Sequence, residues 1–160
     1  MVKVRPNLLE RATIRNARVC ASTENYGYSV KFNQEFDTKG WSGTNVSVFG
    51  SSGGFLFMTA TTEQPGIFKV TGFAPVDASI NTDVVLRYKL VRNRSDSIGN
   101  LGLVQFQTIA DATWSEEKQL EFEVIPDGKW HQYVLNFGPI STWVGLIANL
   151  RIFFCFSFIN

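Results

Sequence analysis

Beyond about Tyr28, apolar residues recur at every second position over most of the chain. Val84, Leu86, Tyr88 and Leu90 share one side of a segment whose other side carries Arg87 and Lys89, which is the period of a half-buried β-strand. Leu120, Phe122 and Val124 alternate with Glu121 and Glu123, and Tyr133, Leu135 and Phe137 alternate with Gln132 and Asn136. The last segment sets Leu150, Ile152, Phe154, Phe156 and Phe158 on one side and Arg151, Phe153, Cys155 and Ser157 on the other, so a strand covered on both faces is expected there. Turn-forming residues separate these runs: Gly50 to Gly54, Gln64-Pro65-Gly66, Ser95 to Asn100 and Pro126-Asp127-Gly128. No segment past residue 30 sustains a 3.6-residue period, and the nearest approach to a helical turn is Thr142 to Asn149.

Some nine short strands with one buried face each must meet in pairs of sheets, so the pattern predicts an all-β, two-sheet antiparallel β-sandwich. A jelly roll fits best and an immunoglobulin-like order is its rival, since alternation alone does not separate strand orders. The 160 residues are enough for one continuous core, and 44% hydrophobic against 18% charged residues excludes a disordered chain. The apolar runs are too short to span a bilayer as helices, and no apolar signal segment follows the opening Met-Val-Lys-Val-Arg-Pro. A net charge of +1 does not suit a protein held to nucleic acid by phosphate contacts. Cys20 and Cys155 are expected as reduced thiols. The charge is unevenly spread: Lys3, Arg5, Arg11, Arg15 and Arg18 face only Glu10 in the first twenty residues, ahead of a mildly acidic body. Residues 1–28 therefore read either as a basic arm that docks on a neighbouring copy or as a solvated terminus, and residues 29–160 as the folded domain.

Three phrases in the body resemble galactose-binding-like jelly-roll domains, a group that includes carbohydrate-binding modules. They are Asn33-Gln34-Glu35-Phe36-Asp37-Thr38-Lys39-Gly40-Trp41, Asp127-Gly128-Lys129-Trp130-His131-Gln132-Tyr133, and Trp143-Val144-Gly145-Leu146-Ile147-Ala148-Asn149-Leu150-Arg151-Ile152. The resemblance implies a jelly roll, with Trp130 and Trp143 as core anchors, and it covers carbohydrate binding, virion structure and domain spacing alike. Such domains often carry a structural calcium near the first phrase and the final strand. Glu35 and Asp37 match the first part, but Phe153 to Phe158 lacks the carboxylate that usually completes the site, so no cofactor is expected. In the arm, Ala12-Thr13-Ile14-Arg15-Asn16-Ala17-Arg18-Val19 resembles phrases near the threefold axis of bacteriophage tail-fibre proteins. That likeness implies a homotrimer in a virion, with Ile14, Asn16, Ala17 and Val19 packing against other copies or other virion proteins.

Catalytic patterns are scarce. The only histidine is His131, no G-x-S-x-G elbow occurs, and Gly50 to Gly54 lacks the lysine of a phosphate cradle. Glu121 and Glu123 alternate with core residues as a solvated strand face does, and Glu116-Glu117 fall in a polar connection, so no paired carboxylates for glycoside hydrolysis stand out. No enzymatic activity is expected. Glycan binding needs exposed rings for sugar C–H faces and amide or charged groups for hydroxyls. Arg87, Lys89, Gln105, Gln107, Gln132 and Asn136 all lie opposite core positions and would form one amide-rich patch if neighbouring strands aligned them, with Trp130 at its rim and Trp114 in a nearby loop. The plainer alternative is that these polar residues only face water. Phe153 and Phe158 exceed what one buried face needs, which suits packing in an assembly or a strand with two covered faces. The expectation is a non-catalytic structural or attachment protein of a bacteriophage virion, with a host-surface glycan as a further partner; the alternative is a carbohydrate-binding module. Neither nucleic acid nor membrane insertion is expected.

Overall fold

The alternating segments form antiparallel strands in the computed structural model, which describes residues 32, 34–62, 64–91 and 97–158. Ten strands follow in order: β1 (Trp41–Thr44), β2 (Val46–Ser52), β3 (Phe55–Ala60), β4 (Gly66–Lys69), β5 (Val76–Asp77), β6 (Asp83–Val91), β7 (Ser97–Thr108), β8 (Gln119–Glu123), β9 (Asp127–Asn136) and β10 (Leu146–Phe158). Among the described residues one 3-10 turn, Glu116–Lys118, precedes β8. Among the described residues no helix is long and apolar enough to cross a membrane. The arm residues Ile14, Asn16, Ala17 and Val19, together with Cys20, Ser95, Asp96 and the Phe158 side chain, lie outside the described residues, whereas Ser97 to Asn100, expected in a turn, instead open β7, which pairs with β10.

One six-stranded sheet has the order β1-β4-β10-β7-β8, with β5 also paired to β10. The central strand is β10, bonded along one edge to β7 and along the other to β4 and β5. The expected second sheet is instead two separate ribbons, β2-β3 and β6-β9. Among the described residues the architecture is all-β and antiparallel, and its sheets do not close into a barrel. No helical turn forms over 142–149, because Gly145 takes a left-handed φ of 70° and the chain extends into β10 from Leu146.

The core lies between the β6-β9 ribbon and one face of the large sheet. Tyr88 and Tyr133 of the ribbon stack at 5.9 Å and meet Phe122 of β8, while Tyr88 also meets Phe154 of β10. At the other end Trp143 packs edge-on against Phe106 (4.7 Å) and beside Phe137 (4.6 Å), and its indole N–H donates to the Asn81 carbonyl at 2.9 Å. Trp143 is the core anchor that the motif implied. Trp130 is not in the buried cluster. It pairs with Lys89 across the ribbon, one step out of phase with the inward Tyr133 and Leu135, and so points away from the core.

Close approach demands glycine at several positions, and two of them bear on the packing here. Gly102 of β7 pairs with Phe122 of β8, and the end of that ring lies across the position a methyl would take. Gly40, at φ 78°, brings its backbone against Thr71 and accepts hydrogen bonds from the Val70 and Thr71 N–H groups.

Candidate functional site

The face of the large sheet turned away from the core carries an ordered polar row. Register places Phe68 of β4 opposite Arg151 of β10, Arg151 opposite Gln105 of β7, and Gln105 opposite Gln119 of β8. Side chains join what the backbone aligns. Arg151 Nε donates to Gln105 Oε1 at 2.6 Å, and Gln105 Nε2 donates to Gln119 Oε1 at 2.8 Å. The Arg151 guanidinium lies 4.3 Å from the centroid of the Trp114 ring and 5.1 Å from that of Phe153. Burial by these rings lowers the pKa of Arg151 from its ordinary value. On this side β10 is indeed half-covered, by a layer of its own loop and aromatic side chains.

Trp114 sits in the loop between β7 and β8, and that loop is tied down by its own hydrogen bonds. Asp111 N–H donates to Thr108 Oγ1 at 2.9 Å, and Thr113 donates to Asp111 Oδ1 from both its N–H (2.9 Å) and its hydroxyl (2.6 Å). Lys118, only 5% exposed, clamps the loop through the carbonyls of Asp111 (3.1 Å) and Thr113 (3.0 Å) and an ion pair with the Asp111 carboxylate. The hydrogen bonds from Lys118 and Thr113 hold the Asp111 carboxyl well below the usual carboxylate range. The Gln107 side-chain amide donates a further hydrogen bond to the Ala112 carbonyl. Lys118 thus holds the loop that carries Trp114.

The six ligand-binding positions expected from the sequence divide into two groups. Gln105, Gln107 and Trp114 come together on the large sheet. Arg87, Trp130 and Gln132 come together on the outward face of the β6-β9 ribbon, where Arg87 pairs with Gln132 and its guanidinium lies 4.9 Å over the Trp130 ring. Both groups flank the same core from opposite sides, so strand alignment produces two patches where one was expected. The second is partly closed: Phe55 meets Trp130 edge-on at 6.3 Å, Val85 on the same face is 3% exposed, and the Trp130 indole N–H is buried without a hydrogen-bond partner. Arg151 and Gln119, which were not among those six, join Gln105 in the first group. Alternation already put Arg151 on the outward side of the last strand, but nothing local announced that Gln105 and Gln119 would stand beside it.

His131 meets Asp127, with Nε2 to Oδ1 at 2.8 Å, and its ring lies 5.7 Å from Tyr88. The hydrogen bond from His131 and the backbone bond from Lys129 lower the Asp127 pKa. The two residues belong to one strand four positions apart, and no hydroxyl or thiol among the described residues hydrogen-bonds the imidazole. At the first motif phrase, the Asp37 carboxylate is taken by Lys39. Among the described residues no group of three or more His, Cys, Asp or Glu side chains stands close enough to hold a metal ion. Cys155 is a free thiol, its pKa raised by burial and by Glu121.

Set against models of known protein families, characterised proteins and solved structures, the chain matches none. Its structure alone places it, as an all-β domain of antiparallel sheets with an aromatic–guanidinium–amide row on the outward face of the larger sheet.

Proposed function

We propose that this chain is a non-catalytic attachment protein of a bacteriophage virion, and that it holds a surface glycan on the outward face of its six-stranded sheet. The observation that carries the binding reading is the Trp114–Arg151–Gln105–Gln119 cluster: a ring fixed by its loop beside a cross-strand row of amide and guanidinium groups. A sugar presents an apolar C–H face and a rim of hydroxyls, and a pre-formed surface of this composition meets both without ordering flexible loops. In this reading the fold is a galactose-binding-like jelly roll, supported by the three motif phrases and by a central last strand. The virion role rests on the arm, whose phrase around Ile14 to Val19 resembles the trimeric parts of tail fibres. The arm supplies contacts to other copies, and the domain faces the host.

A glycan array read with the full chain and with Trp114→Ala tests the binding half. Hits that vanish in the variant are expected; no hits, or hits indifferent to Trp114, overturn it. A mass measurement of the full chain tests the assembly half, where a trimer is expected and a stable monomer removes its support.

A further inference from the structure

Resting on that glycan reading, we propose that the outward face of the six-stranded sheet selects a carboxylate-bearing sugar, such as a uronic or sialic acid residue, with Arg151 as the anchor for the acid group. Three observations converge on Arg151. Its Nε is held by Gln105, which fixes the plane of the guanidinium, while its two terminal amino groups make no hydrogen bond with any described residue. No carboxylate among the described residues pairs with it, whereas Lys39 and Lys118 each have an aspartate. It is also half-buried between the rings of Trp114 and Phe153. A cation stripped of part of its water and given no counter-charge is costly, and a bound anion offsets that cost. The remaining edge of the guanidinium is a flat pair of N–H donors, the shape that grips a carboxylate through two parallel hydrogen bonds.

The surroundings favour a sugar acid over a denser anion. Trp114 stands beside the anchor and offers a ring to the sugar's C–H face, and Gln119 ends the row with an amide for a hydroxyl. One and two rows further along β8, Glu121 and Glu123 pair with Leu103 and Leu101 of the same outward face. Their charge opposes a heavily sulfated or phosphorylated chain, which would bring several negative groups near them. A single carboxylate seated on Arg151 avoids that repulsion.

Matched pairs of probes test this: sialyllactose against lactose, and tetragalacturonate against its methyl ester, titrated into the full chain at low salt and followed by tryptophan fluorescence. The acid member of at least one pair is expected to bind about ten-fold tighter or more, as charge-assisted hydrogen bonds allow. Arg151→Gln should remove the difference, and Arg151→Lys should restore part of it. Gln119→Glu, on an edge strand away from the core, should weaken the acid member far more than the neutral one and keep the melting temperature; equal weakening of both would count against the inference, and this variant carries the test if Arg151→Gln fails to fold. Equal affinity for acid and neutral sugars, discrimination that survives in Arg151→Gln, or tighter binding of a heparin tetrasaccharide than of either acid would overturn the carboxylate inference. If neutral sugars bind through Trp114 without acid preference, the glycan reading stands and this inference falls. If no sugar of either kind changes the fluorescence, both fall.

Discussion

Replacing Gly102 by alanine probes the register between β7 and β8 directly. A methyl at this position would come within 2.5 Å of three ring carbons of Phe122, Cε1, Cε2 and Cζ, so one of the two must move. The ring has little room to yield, because it is 6% exposed and packs against Tyr88 at 6.1 Å, Tyr133 at 5.3 Å and Phe154 at 6.4 Å. Overpacking a dense core in this way costs roughly 1 to 3 kcal/mol. In a domain of this size that lowers the melting temperature by about 2 to 12 °C. Alanine is otherwise no worse than glycine in a strand, so local propensity does not predict this loss. A second substitution separates the clash from other causes. Phe122→Leu shortens the ring and costs something by itself, but in its presence Gly102→Ala should become nearly neutral, with a coupling of about 1 kcal/mol or more in a double-mutant cycle. Chemical denaturation of the four proteins measures it. If Gly102→Ala melts with the wild type, or if the two changes simply add, Phe122 does not lie across Gly102 and the register is wrong.

Three further substitutions have defined outcomes. Tyr88→Phe removes the hydroxyl that accepts the Ile125 N–H at 2.9 Å, and leaving that donor unpaired costs about 1 to 2 kcal/mol by urea denaturation. Burial pushes the Tyr88 pKa up to about 12, so the unfolded chain ionises first and wild-type stability declines as pH rises from the ordinary tyrosine value toward 12; Tyr88→Phe should lack that share of the decline, and an unchanged alkaline slope would refute it. The depressed Asp111 pKa acts at the acid end, stabilising the fold above the ordinary aspartate value of 3.8 and losing that contribution as pH falls below it. Asp111→Asn should therefore be less stable at neutral pH and lose less on acidification, which melting curves across the acid range check. Trp143→Ala, which empties a buried site between Phe106 and Phe137, should cost roughly 3 to 5 kcal/mol, whereas Trp130→Ala on the outward face should cost about 2; equal melting temperatures for the pair would contradict their placement.

Alternation along each strand was enough to tell which side meets the core. Side chains on a strand leave it in opposite directions, so a Tyr88 or a Phe122 commits its neighbours two positions away to the same face. It also put Arg151, Gln105, Gln107 and Gln132 outside and, read strictly, set Trp130 outside with Gln132. The motif resemblance pulled Trp130 the other way, and there the period was the better guide. The glycines and prolines between runs marked most of the turns, because few other residues tolerate those backbone angles.

Neighbourhood was decided only in three dimensions. Backbone hydrogen bonds look alike in every register, so nothing near Arg151 in the chain says that Gln105, 46 positions away, will accept its N–H. The same choice of partners sent β6 and β9 to one side of the core and β7, β8 and β10 to the other, dividing between two faces the polar residues that the chain lays out as one series. The loop bearing Trp114 likewise has no periodic signal, and its shape comes from Lys118 reaching back to Asp111 and Thr113 once β8 has docked. Period is a property of each segment alone, whereas a site is assembled from the contacts between segments.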